Sequence, residues 1–155
     1  MKTEILLERL KDEYSARMFY RNSFIMLSNK GFNKAAEFAK NEAKDELKHS
    51  AIIEQFLIDW GIPFEVPLPY AVSIPTSLKE FIEIAFGLEK SLYEKYSKNA
   101  IEEMSGDQSV YSLLLSFIEI QRKSVAEYKN LIDRMNLVNM NNNLNVFMFE
   151  AESFK

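Results

Sequence analysis

The stretch Gly61-Ile62-Pro63-Phe64-Glu65-Val66-Pro67-Leu68-Pro69-Tyr70-Ala71-Val72-Ser73-Ile74-Pro75 holds all four prolines and one of the four glycines of this 155-residue chain. Proline removes an N–H and clashes with the preceding turn, so no helix crosses these residues. Fifteen extended residues reach roughly 50 Å at about 3.3 Å each. That exceeds the length of a 26–30-residue helix, about 40 Å at 1.5 Å per residue. The stretch can therefore run end to end along a bundle of such helices and leave its two flanking helices parallel.

On either side, Gly31 and Gly106 mark the other breaks. Glycine favours helix C-termini, and the chain divides into segments at about 4–29, 31–60, 76–104 and 108–136. Each has helical period. One face of the first carries Leu6, Leu10, Glu13, Tyr20, Phe24 and Leu27. The second gives Ala35, Ala39, Glu42, Glu46, His49, Ile53, Phe56 and Trp60. The third gives Leu78, Ile82, Ala85, Glu89, Tyr93, Tyr96 and Ala100. The fourth gives Val110, Leu114, Phe117, Gln121, Val125, Tyr128, Ile132 and Met135. Gly87, inside the third, costs about 1 kcal/mol against Ala and implies a close helix contact. Short breaks at 29–31 and 105–107 allow only antiparallel hairpins. The fold expected is all-α: a four-helix bundle with one long crossover between helices 2 and 3. Residues 1–136 form the bundle. Residues 137–155 form an Asn-rich hinge (139–143) and a short C-terminal helix.

Composition narrows the function. The 12 Phe and 7 Tyr can furnish a core, which excludes disorder as the main state. With no cysteine, a disulfide scaffold, thiolate metal sites and a Cys nucleophile are excluded. A net charge of −4 gives no footprint for nucleic acid. No apolar run approaches the ~18–20 residues of a membrane span. The Met1-Lys2-Thr3-Glu4 start does not read as a signal peptide, so a cytoplasmic location is expected.

What interrupts the four apolar stripes is more telling. Each carries a ligand-type side chain near its middle: Glu13, Glu46 with His49, Glu89, and Gln121. Burying a carboxylate costs several kcal/mol unless it is paired or bound to a metal, so four helices each placing a polar group at similar depth point to one buried metal site. Glu46 and His49, three apart, project to one side of a turn. Carboxylates with one imidazole and no thiolate suit iron or manganese, with zinc as competitor. Taken alone, Glu46-x-x-His49 also fits a core histidine bonded to a neighbouring carboxylate. Tyr20, seven residues after Glu13 on the same face, could bond a ligand or supply an electron; it could equally fill core with its hydroxyl satisfied.

These residues resemble the ferritin family over nearly the whole chain, and one long crossover in a four-helix bundle is shared by ferritin-like folds. Glu13-Tyr14-Ser15-Ala16 resembles the first-helix Glu motif, with Tyr20 at the place of the ferroxidase-centre tyrosine. Asp45-Glu46-Leu47-Lys48-His49 resembles the acidic-Glu-x-x-His, and Leu88-Glu89-Lys90 the third-helix Leu-Glu-Lys. Gln121-Arg122-Lys123-Ser124 resembles the Gln-x-x-small pattern of H-type centres. The resemblance implies a ferroxidase in which Glu13, Glu46 and His49 hold one iron. Glu46 would bridge to a second, held by Glu89 with Gln121 near. The implied function is iron storage and detoxification: Fe(II) oxidised by O₂ or H₂O₂, and ferric mineral kept in a cage, most readily a 24-mer. Outward apolar residues such as Phe19, Phe32 and Tyr70 are expected to be covered in that assembly.

Departures from the family are visible too. Leu47 replaces the haem-ligating Met of bacterioferritins, so no haem is implied. Gln121-x-x-Ser124 replaces their second Glu-x-x-His. Arg17, one turn beyond Glu13, either points to solvent or a subunit interface, or pairs with Glu13. Two other functions fit the same bundle: a structural, virion or binding component with a vestigial site, and a non-storage di-iron oxidase.

Overall fold

The computed structural model describes residues 3–154. Met1 and Lys2, at the start of the N-terminal stretch discussed above, and Lys155 lie outside the described residues, as do the outer ends of the two expected segments. Five helices follow in order: α1 (Thr3–Asn29), α2 (Asn33–Asp59), α3 (Leu78–Glu103), α4 (Gln108–Met135) and α5 (Asn143–Ser153). Among the described residues there is no strand.

The breaks are built as their residues dictate. Gly31 (φ 83°) and Gly61 (φ 64°) adopt the left-handed conformation just past α1 and α2. Phe32 N–H then donates to Leu27 O (3.0 Å) and Ile62 N–H to Leu57 O (2.9 Å), the Schellman closure of a helix end. Ser77 caps α3 by accepting from Glu80 N, and Asp107 caps α4 by accepting from Ser109 N and Val110 N. Phe32, the residue before α2, has no capping side chain. The cap comes from α5 instead: Glu150 Oε1 accepts from Lys34 N (2.8 Å) and Ala35 N (3.0 Å).

α1 pairs with α2 and α3 with α4, and α1 also touches α3. Two apolar clusters fill the ends of the bundle. One holds Phe19, Leu27, Ala35, Leu78, Phe81, Ile82, Leu131, Met135 and Phe149. The other holds Leu6, Leu10, Ile53, Leu57, Ala100, Val110 and Leu114. α2 and α3 both begin in the first cluster and run to the second, so they are parallel and residues 60–77 return along the bundle. The returning segment lies on α1, where Tyr70 N donates to Ser15 Oγ (2.8 Å) and Tyr70 OH to Glu8 Oε2 (2.8 Å).

Two expectations fail. Phe19 (1% exposed) and Phe32 (8%) are not outward but buried. Phe19 packs on Tyr20 and Phe81, because α1 faces both α2 and α3 and buries an arc wider than one stripe; Phe32 is covered by Phe147 of α5. Tyr70 is exposed as expected, at 43%. Gly87 makes no close helix contact: a Cβ placed there meets nothing within 4 Å.

Candidate metal centre

Between the two apolar clusters lies a polar layer. Glu13, Glu89 and Gln121 are fully buried and Glu46 nearly so, while His49 is partly exposed. Each occupies the apolar stripe of its helix near mid-length, so antiparallel pairing within the hairpins brings all of them to one height. The structure places all six sequence-predicted residues here. His49 Nδ1 lies 3.4 Å from both Glu13 Oε2 and Glu46 Oε2. Tyr20 OH donates to Glu89 Oε1 (2.6 Å) and Gln121 Nε2 to Glu89 Oε2 (2.6 Å). Arg17 is exposed and lines a surface groove with Tyr14, Met18 and the crossover residues 66–69, which decides between its two readings in favour of the surface.

Two groups that lie on the stripes but were not read as site residues also belong to the layer. Tyr96 OH donates to Glu13 Oε1 at 2.6 Å. Glu42, one turn before Glu46, joins Glu46 and Glu89 in a second triad. Ligand atoms within each triad, Glu13–Glu46–His49 and Glu42–Glu46–Glu89, lie within 4.8 Å of one another. Glu46 is common to both. The signal for Glu42 was in the sequence: it is the i−4 neighbour of Glu46 on the same apolar face.

The electrostatics are those of crowded anions. Burial, then the facing Glu13, pushes Glu46 well above the usual carboxylate range. Burial raises Glu89, although Tyr20 and Gln121 donate to it. Burial and the charges of Glu89, Glu127 and Asp45 push Glu42 up to about 8. Glu13 is the exception: burial raises it, but hydrogen bonding with Glu46, His49 and Tyr96 outweighs burial and leaves it low. Burial opposes charge on His49, yet Glu13 beside it raises its pKa. Glu13 and Glu46 thus behave as a pair sharing a proton. The donor set fits a divalent cation. Gln121 Oε1 is buried without a hydrogen-bond partner, and two triads sharing one carboxylate offer oxygen and imidazole ligands suited to iron, manganese or zinc.

A four-helix bundle with one long crossover and inward-facing carboxylates defines the ferritin-like class. The family model described as Ferritin-like domain matches residues 3–138, and the chain belongs to this family. Among solved structures it resembles Mycobacterium tuberculosis bacterioferritin BfrA (17% identity, 98% of this chain and 92% of that chain, TM-score 0.85). It also resembles the open-pore ferritin of the archaeon Archaeoglobus fulgidus (16% identity, 98% and 94%, TM-score 0.83). A third is the Rhodobacter capsulatus bacterioferritin described with a metal-free dinuclear site and haem iron (17% identity, 98% and 92%, TM-score 0.86). No curated protein sequence matches it.

Proposed function

We propose that the protein is an iron-storage ferritin that oxidises Fe(II) at this layer. One observation carries the proposal: two ligand triads overlap on a single buried carboxylate, Glu46. Two Fe(II) ions, the substrate, supply the electrons that reduce O₂ or H₂O₂. Glu13, Glu46 and His49 bind one ion, and Glu42, Glu46 and Glu89 the other. Glu46 bridges, which fixes the spacing between ions and lets paired one-electron donors act together. Tyr20 and Gln121 hold Glu89 by its two oxygens. Burial and neighbouring anions raise the pKa values of Glu42, Glu46 and Glu89 and so favour their neutral forms; entering cations shift these groups towards the ionised form, and the protons released offset part of the positive charge brought into the core.

Storage requires an enclosure, and the surface supports self-association into a cage. Val66, Leu68, Tyr70 and Ile74 of the crossover are exposed, as are Leu144, Phe147 and Met148 of α5. No described helix is long and apolar enough to cross a membrane, in keeping with work in the cytoplasm. Leu47, at the haem-ligand place of bacterioferritins, has no ligating atom, in keeping with a haem-free protein.

The test is Fe(II) oxidation under air by the parent, Glu46→Ala and His49→Ala, with particle size measured by light scattering. The parent accelerates oxidation over buffer and both variants lose most of the acceleration. Equal rates in all three would assign the activity to surface carboxylates. A stable monomer near 18 kDa would remove the cage.

A further inference from the structure

Asp12, beside Glu13 on α1, is a further carboxylate that the fold buries, and it is paired along the seam with α3. Its Oδ1 meets Lys95 Nζ and its Oδ2 meets Arg9 Nη2, each at 3.0 Å. Arg9, also buried, donates from Nη1 to Asn99 Oδ1 at 2.9 Å. Two cations thus share one anion where α1 meets α3, and one positive charge is left over. Beside this group the seam is not filled. A chamber of about 110 Å³ opens between Asp12, Ser15 and Ala16 of α1 and Leu88, Ser91 and Leu92 of α3, with Lys95 also on its wall. One water needs about 10–15 Å³, so the chamber holds several small molecules. Ser15, Ala16 and Ser91 are short side chains, which is why the two helices leave a gap here. The α1 residues of the wall lie within three positions of Glu13 and Leu88, Ser91 and Leu92 within three of Glu89. The chamber therefore stands at the height of the polar layer, against the two helices that carry these carboxylates inward.

We infer that this chamber is the port by which dioxygen, a small neutral molecule, reaches the layer, and that the charges of Arg9 and Lys95 turn Fe(II) away from it. The inference rests on the iron-oxidising role proposed above. Dioxygen is apolar and carries no charge, so the walls given by Ala16, Leu88 and Leu92 suit it and the ion pairs beside them do not oppose it. A divalent cation meets the surplus positive charge of the seam. It would also have to shed water against apolar walls, with the only carboxylate there already held by two cations. Cations have a better approach. His49 and Glu42, the triad members that keep some exposure, both stand on α2. The charge of Asp45 acts on both of them, and that of Glu127 on Glu42. The two reactants thus arrive by different faces, each matched to its own charge.

Plugging the chamber separates the two routes. Ser91→Leu narrows it from α3, and Ala16→Val narrows it from α1 and serves alone should Ser91→Leu fail to fold. Metal-free crystals pressurised with xenon, an apolar stand-in for dioxygen, show an anomalous peak in the chamber of the parent and none in the plugged variants. In solution, plugging raises the KM for dioxygen in Fe(II) oxidation several-fold and leaves kcat at saturating dioxygen unchanged. Uptake of Co²⁺, followed by its visible absorption without redox chemistry, keeps the parent rate. The inference is overturned if xenon does not enter the parent chamber, or if the plugged variants keep the parent KM. A fall in kcat at unchanged KM, as displaced ligands would give, also overturns it. So does slower Co²⁺ uptake in the plugged variants, which would make the chamber a cation route. A parent that takes up no Co²⁺ in the layer overturns the metal-binding reading itself, and the xenon arm reports on the chamber separately from that failure.

Discussion

Glu42 should make the metal-free protein lose stability as pH rises, and Glu42→Gln should remove that loss. Its carboxyl moves from 4.5 in the unfolded chain to about 8 in the fold, because burial and then the charges of Glu89, Glu127 and Asp45 oppose ionisation. The folded value is raised, so the stabilising contribution is fully present below pH 4.5 and is lost as pH climbs through 8. A shift of 3.5 (8 minus 4.5) corresponds to about 5 kcal/mol at 1.36 kcal/mol per unit. About 4 kcal/mol of it would be lost by pH 8, where the group is half ionised. Glu42 keeps some contact with solvent, and screening reduces the effect to about 2 kcal/mol. For a domain of this size that is a Tm change of about 4–8 °C. Melting followed by circular dichroism, with chelator present, at pH 5 through 8 measures it. The parent curve should fall away from the Glu42→Gln curve by that amount towards pH 8, and the two should meet near pH 5. Parallel curves would show that Glu42 is not held neutral by its surroundings.

Three further outcomes are expected. Zinc binding should release protons, since Glu46 and Glu89 carry raised pKa values and Glu42 titrates near 8; calorimetry in two buffers of different ionisation enthalpy counts them, and a count of zero would contradict the crowded-anion picture. Glu150→Ala should cost about 1–2 kcal/mol by uncapping α2, with faster hydrogen exchange at Lys34 and Ala35, whose N–H groups it accepts. Unchanged exchange there would deny α5 the capping role. Gly87→Ala should raise stability by about 0.5–1 kcal/mol, because the added methyl meets nothing within 4 Å and the helix gains propensity; a lower Tm in the denaturant-free melt would reveal a neighbour on that face.

The fold was legible because its decisive signals are local. Four prolines in fifteen residues forbid a helix, and two glycines end helices by a backbone conformation that needs no distant partner. The ligand-type residues were legible for a related reason: a Glu or His on an apolar stripe contradicts its surroundings. Glu42 has the same signature but stands in an Ala-rich part of α2, where the stripe is shallow. Tyr96 was hidden more thoroughly, since a tyrosine suits a core and only the antiparallel register of α1 against α3 gives its hydroxyl a carboxylate. Phe19 and Phe32 were misplaced because burial on a second face, and beneath α5, depends on elements distant in sequence. The cap on α2 was likewise invisible, as its carboxylate comes from 116 residues away.

The division of the bundle into two sequence-local hairpins sets the order of its assembly. α1 with α2, and α3 with α4, are joined by short turns and make most of the tertiary contacts, so each can close quickly on its own. The polar layer is split between them: Glu13, Tyr20, Glu42, Glu46 and His49 on one side, Glu89, Tyr96 and Gln121 on the other. Neither hairpin owns a finished set of partners for its carboxylates. Docking the halves strips water from like charges at mid-height while it gains apolar contact at both ends, making this the step most opposed by electrostatics. A divalent ion present at that moment would act as a rivet between the halves, so the chemistry that the layer serves in the finished protein would also hasten its making.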